Sequence, residues 1–197
     1  MRLLLLDNVD SFTYNLLDYL QQVGCTVEVR RNSASLSEIQ ALAFDGIVLS
    51  PGPGTPAGAG VMPALIQEYH ARVPMLGVCL GHQALGAFFG ARLRRGERPV
   101  HGKVSEIEWQ VSSPLSAGLP VRMPVTRYHS LILDQLPATL EALAYTTADG
   151  ELMALRHRSL PLYGVQFHPE ALLTPNGLAL LGNWVKNCII AHPAPRQ

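Results

Sequence analysis

At 197 residues, 48% hydrophobic and 15% charged, the chain has the composition of one compact globular domain, residues 1–197, and excludes a disordered or fibrous segment. Fifteen basic and fifteen acidic residues cancel with no basic run, so neither nucleic acid nor an anionic membrane is expected as a partner. Three cysteines, Cys25, Cys79 and Cys188, are odd in number and lack the spacing of a zinc site or disulfide framework, which points to a reduced, cytoplasmic protein.

The apolar start Leu3-Leu4-Leu5-Leu6 stops at Asp7, too short for a signal-peptide core or a membrane span, and reads as a buried strand over Arg2 to Leu6. Asp7 to Ser11 form a turn, and Phe12, Leu16, Tyr19, Leu20 and Val23 mark one face of a helix closed by Gly24. Thr26 to Arg30 alternates as a second strand, Leu36 to Leu42 reads as a short helix, and Gly46 to Leu49 as a third strand. This order, with near-continuous apolar strands, predicts an α/β fold: a mainly parallel central sheet covered on both faces, hence three layers.

The third strand runs into Ser50-Pro51-Gly52-Pro53-Gly54-Thr55-Pro56, too rich in proline and glycine for regular structure. Its glycines miss the dinucleotide-binding spacing, and Gly102-Lys103 lacks the upstream glycine of a phosphate loop, so no nucleotide cofactor is expected. Next, a short buried strand ending in Met75-Leu76 meets Gly77-Val78-Cys79-Leu80-Gly81, and a helical pattern of Leu80, Ala84, Leu85, Phe88 and Phe89 follows. Gly-x-Cys-x-Gly between a strand and a helix is the thiol form of a nucleophile elbow, and a helix N-terminus there favours thiolate over thiol.

From Ala91 to about Phe167 the period shortens: Gly102 to Trp109, Pro120 to Arg127, Leu140 to Thr146 and Met153 to His157 read as strands. They are expected to extend one side of the sheet in antiparallel fashion. The strand Leu162 to Phe167 then delivers His168-Pro169-Glu170. Proline disfavours the helical region for the preceding residue, and residues two apart on an extended segment project the same way, so His168 and Glu170 are expected side by side. A histidine held by a carboxylate suits a base that exchanges protons with a thiol and a leaving group. The other six histidines lack that combination, and no His-Glu-x-x-His or similar spacing offers a metal site. For the oxyanion that forms when a thiolate attacks a carbonyl, the amides of Leu80 and Gly52 are the candidates. Gln83, one helical turn after Cys79, is placed to hold a polar substrate. Leu178, Leu181, Val185, Cys188 and Ile189 mark a last helix, and the tail His192 to Gln197 is expected to fray.

With these residues identified, the chain resembles the class I glutamine amidotransferase domains along nearly its whole length. The resemblance rests on Val78-Cys79-Leu80-Gly81-His82-Gln83 and Gly164-Val165-Gln166-Phe167-His168-Pro169-Glu170. It implies hydrolysis of the glutamine carboxamide through a thioester on Cys79, with Gly52, Pro53, Gly54, Leu80, Gln83, Ser130 and Leu131 contacting glutamine, the last pair mainly through backbone. A narrower similarity, to glutaminase subunits of chorismate-using synthases, rests on Asp7 to Asn15, Leu49 to Pro56, His101-Gly102-Lys103 and Arg127 to Leu131. It implies a synthase partner on another chain that binds chorismate and receives ammonia. Met153 to Arg158 looks more like the aminodeoxychorismate type than the anthranilate type, and one subunit serving both is a further possibility. Val9 and Ala171 depart from that family's usual tyrosine and serine. The competing expectations are a thiol hydrolase of γ-glutamyl compounds on the same architecture and a catalytically silent regulatory subunit.

Overall fold

The computed structural model describes residues 1–189, so the expectation for the tail, His192 to Gln197, lies outside the described residues. Within them the chain runs β1 (Arg2–Asp7), α1 (Thr13–Gln22), β2 (Thr26–Arg31), α2 (Leu36–Gln40), β3 (Gly46–Leu49), a 3-10 turn (Pro56–Gly58), α3 (Met62–Tyr69), β4 (Met75–Val78) and α4 (Leu80–Phe88). It continues through β5 (Arg92–Arg95), β6 (Lys103–Trp109), β7 (Arg122–Arg127), β8 (Leu131–Asp134), β9 (Leu140–Thr146), β10 (Leu152–His157), β11 (Leu162–Val165) and α5 (Gly177–Asn183). A π-helical segment, Trp184–Ile189, prolongs α5.

Nine strands form one sheet in the order β2-β1-β3-β4-β11-β10-β9-β6-β7. The first five are mutually parallel, and β10, β9, β6 and β7 extend them antiparallel. β1, β3, β4 and β11 are buried in nearly every residue because helices cover both faces. Leu3 and Leu5 point to the side of Leu16, Leu20, Leu180, Leu181 and Trp184. Leu4 and Leu6 point to the side of Ile39, Leu65, Ile66 and Leu85. The period-2 alternation of β1 therefore divides the apolar side chains between a layer of α1 and α5 and a layer of α2, α3 and α4. Three layers with a mainly parallel sheet and an antiparallel extension are what the patterning predicted.

The differences have local causes. β6 begins at Lys103 because Gly102 sits at φ +65°, outside the extended region. β7 begins at Arg122, two residues past Pro120, which has no amide to give to a ladder. β11 stops at Val165, two residues before the expected end, because Gln166 and Phe167 leave the β4 ladder. β5 and β8, which the alternation did not reveal, pair with each other in a separate two-stranded ribbon. Arg92 and Arg94 of β5 converge on Asp134 of β8, and the ribbon is exposed on its charged side.

Candidate active site

β3, β4 and β11 are adjacent and parallel, so their C-terminal ends deliver the loop after Leu49, the turn at Cys79 and the His168 segment to one edge of the sheet. Cys79 lies between β4 and α4 with φ +51° and ψ −100°, a conformation that L residues adopt at a cost of roughly 1–3 kcal/mol. Its amide donates to the Val165 carbonyl at 2.8 Å, and its carbonyl accepts the first intrahelical bond, from Gln83 N at 3.0 Å. The flanking glycines make this turn possible. A Cβ on Gly77 would lie 2.4 Å from Gly81 backbone atoms, and one on Gly81 would lie 2.4 Å from the Leu49 carbonyl oxygen. Leu80 opens α4, so its amide is among those an α-helix leaves without an intrahelical acceptor.

His168 is reached through an isolated bridge to Thr126, whose carbonyl accepts from His168 N at 3.0 Å. Thr174 Oγ1 donates to the His168 carbonyl at 2.8 Å, fixing the segment from its other side. The imidazole Nδ1 meets Glu170 Oε1 at 2.6 Å, with both side chains buried, so the expected pairing is present. The rings of Phe12 and Tyr128 stand edge-on to the imidazole, at 5.6 and 5.1 Å between centroids, and limit its rotation. Burial pushes the imidazole pKa down, but hydrogen bonding to Cys79 and Glu170 and their negative charges outweigh it and raise it well above the ordinary histidine value. At neutral pH the ring is thus an imidazolium facing the thiol and the carboxylate. Glu170 Oε2 is buried with no partner among the described residues, so Oε1 carries the whole interaction with the ring.

A cavity of about 160 Å³ opens beside the sulfur, lined by Gly52, Pro53, Gly54, Cys79, Gln83, Tyr128, His129, Ser130 and Leu131. Six of the residues expected to contact glutamine therefore share a wall with Cys79, while Leu80 lies beneath the turn, fully packed. Gly52 is held close: a Cβ there would meet the Asn8 Cβ and carbonyl oxygen at 2.6 Å. Asn8 in turn binds Ser50, its amide donating to Ser50 Oγ at 2.8 Å and its Nδ2 to the Ser50 carbonyl at 2.9 Å, which ties the end of β1 to the glycine loop. Gln83 is no solvated helix position. It is buried, and its Nε2 donates to the Leu131 carbonyl at 3.0 Å and to Gln166 Oε1 at 3.2 Å.

Three participants were not assigned a role from sequence. Tyr128 lines the cavity and packs on His168. His129 has its Nε2 taken by Arg127 Nε at 3.0 Å, which removes it as a rival base. Gln166, which sits inside the conspicuous His-Glu stretch, directs its Nε2 at Cys79 Sγ from 3.6 Å. His82, the neighbour of the elbow, is wholly buried over Gly164 and faces away from the cavity lining. Among the described residues no cluster of three or more histidine, cysteine, aspartate or glutamate side chains is placed to hold a metal ion. No helix of the described residues is long and apolar enough to cross a membrane.

Comparison with known proteins agrees with this geometry. The family model described as "Glutamine amidotransferase class-I" matches residues 4–188. The chain is 48% identical over 189 residues to the aminodeoxychorismate synthase component 2 of Serratia marcescens, covering 93% of this chain and 98% of that protein. It is 43% identical over 187 residues to the aminodeoxychorismate/anthranilate synthase component 2 of Bacillus subtilis, covering 93% and 95%. The crystal structure of a GMP synthase protein from Thermoplasma acidophilum superposes with a TM-score of 0.86 at 25% identity, over 97% of this chain and 95% of the other.

Proposed function

The chain belongs to the class-I glutamine amidotransferase family, and on that premise we propose that it is a single-domain glutaminase subunit releasing ammonia from L-glutamine for a chorismate-aminating synthase on another chain. The observation that carries the reading is the meeting of Cys79 and the His168–Glu170 pair at one end of the sheet, beside a cavity walled by Gly52, Pro53, Gly54, Gln83, Ser130 and Leu131.

In the proposed reaction the Cys79 thiolate attacks the carboxamide carbon. The oxyanion of the tetrahedral intermediate is met by the Leu80 amide, free at the start of α4, and by the Gly52 amide on the facing loop. The His168 imidazolium gives its proton to the departing nitrogen, the C–N bond breaks and ammonia leaves a glutamyl thioester. Neutral His168 then takes a proton from water, the hydroxide attacks the thioester carbon, and the C–S bond breaks to return thiolate and glutamate. Glu170 holds Nδ1–H throughout and stabilises the imidazolium.

The partner is inferred from relatives named as component 2 of synthases. The Met153 to Arg158 stretch inclines the assignment to the aminodeoxychorismate type. The second reading is a subunit shared by both pathways, supported by a relative named for both products, and the third is the anthranilate type alone. Three buried, unpaired cysteines accord with a cytoplasmic setting. The test is glutamate release by the purified chain, alone and with each candidate synthase partner. Stimulation by one partner assigns the product, stimulation by both makes the chain a shared component, and none by either refutes the chorismate assignment.

A further inference from the structure

We infer that Gln166 is a further catalytic residue of this site, its side-chain amide donating to the sulfur of Cys79 and held in that direction by a chain of hydrogen bonds that begins at Arg127. The inference rests on the glutaminase reading and adds a donor on the nucleophile itself.

A carboxamide can be turned end for end, so the direction of the Gln166 contact has to be set by its surroundings. Arg127 sets it. Its guanidinium is buried and can only donate; it is pinned by Glu151, by Asp149 at 3.4 Å and by Ser105 Oγ at 3.2 Å. Its Nε donates to His129 Nε2 at 3.0 Å, so that nitrogen carries no proton and Nδ1 does. Nδ1 donates to the Leu131 carbonyl at 3.1 Å. Burial and the neighbouring Arg127 push the His129 pKa down to about 3, which keeps the ring neutral and its tautomer fixed.

The Leu131 carbonyl can only accept, so it is the amide nitrogen of Gln83, at 3.0 Å, that faces it. The same nitrogen donates its other hydrogen to Gln166 Oε1 at 3.2 Å. Gln166 Nε2 is thereby left on the side of the sulfur, 3.6 Å from Sγ. Reversing either carboxamide would set acceptor against acceptor inside a site where Gln166 is completely buried.

A donor turned on sulfur favours the thiolate over the thiol. It acts again when the thioester is hydrolysed: as water adds and the C–S bond breaks, the electron pair returns to a sulfur already faced by an N–H. The Leu131 carbonyl is shared between this chain and the cavity wall, so the segment contacting substrate and the donor on the nucleophile are aligned by the same bonds.

The test uses Gln166→Met, of similar length without a donor, and Gln166→Glu, which keeps the acceptor for Gln83 and is the more conservative shape. The purified chain is alkylated with iodoacetamide over a range of pH and modification of the Cys79 peptide is read by mass spectrometry. Cys25 and Cys188 give little background, because burial raises the Cys25 thiol pKa and lifts that of Cys188 to about 12. Loss of one hydrogen bond to a charged group predicts a fall of about tenfold in the Cys79 alkylation rate on the acid side, with the midpoint moved to higher pH. Gln166→Glu should move it further. Glutamine hydrolysis should fall in kcat with KM changed less than about twofold. Alkylation profiles of both folded variants that superpose on the wild type would overturn the inference. A wild-type chain that releases no glutamate, alone or with any partner, would refute the glutaminase reading instead, and the alkylation profiles would still decide the role of Gln166.

Discussion

Replacing Gly81 with alanine would set helix propensity against packing at the point where α4 crosses the end of β3. Alanine favours a helix over glycine by up to about 1 kcal/mol, so propensity alone predicts a gain. The new methyl would sit 2.4 Å from the Leu49 carbonyl oxygen and 2.6 Å from the Leu49 Cβ, against an ordinary contact of 3.4 Å or more. The nearest atom belongs to the backbone of a buried strand, so relief requires α4 to lift by about 1 Å. Overpacking of this kind costs typically 1–3 kcal/mol, and a rigid obstacle places Gly81→Ala at the upper end. After the propensity gain, a net loss of about 2 kcal/mol remains, or roughly 4–8 °C in melting temperature for a chain of this size. Gly182 in α5 is the internal control: its added methyl would meet only Val23 Cγ1, at 3.6 Å, and Gly182→Ala should gain about 0.5–1 kcal/mol. Thermal unfolding followed by circular dichroism measures both. Because lifting α4 also displaces the turn at Cys79, glutaminase activity should fall in Gly81→Ala and stay unchanged in Gly182→Ala. A Gly81→Ala protein as stable as the wild type would refute the close-approach account of the elbow.

Stability should decline in mild acid. Burial lowers the His82 pKa to about 4, and burial with Arg127 lowers that of His129 to about 3, whereas both would titrate near 6.5 in the unfolded chain. Between pH 6.5 and about 4 the unfolded chain therefore binds protons the native one refuses, and stability falls with pH by up to about 1.4 kcal/mol per unit for each histidine. His168, with its raised pKa, has the opposite sign, since its contribution is complete below 6.5 and fades only as pH climbs through its folded value. Urea midpoints that stay level from neutral pH to pH 5 would contradict this. At Val9, a β-branched residue at φ +62° and 56% exposed, Val9→Asn should stabilise by about 1 kcal/mol, a rise of roughly 2–4 °C; no rise would show that the turn carries no strain. Arg127→Met or Glu151→Leu alone strands a buried partner, at a cost on the order of 3 kcal/mol each, while the double variant should lose much less than the sum. Additive losses in denaturant titrations would remove the pair from the account.

Legibility in the sequence followed the range over which each feature is encoded. β1, β3 and β4 are legible because burial on both faces leaves an apolar run that charged residues cannot interrupt. The elbow and the His168–Glu170 pair are legible because each is written within five residues, and glycine or proline there answers a steric demand visible at close range. β5 was hidden because Arg92, Arg94 and Arg95 surround the single apolar Leu93, and its partner β8 lies 36 residues further on. The π-helical end of α5 shares the apolar face of an α-helix, so the pattern does not distinguish them. The direction of the Gln166 amide was beyond any local pattern. It depends on Arg127, His129, Leu131 and Gln83, brought together by folding, and no single one of them announces the role.

The most direct test of the central claim is to react the chain, bound to the synthase partner that stimulates it, with a glutamine-like electrophile and locate the adduct by mass spectrometry, in wild type and Cys79→Ala. The account predicts one adduct, on Cys79, in the wild type only. It also predicts that Cys79→Ala loses glutamine-dependent synthesis while keeping synthesis from added ammonia. An adduct elsewhere, or glutamine-dependent product from Cys79→Ala, would contradict the thioester mechanism.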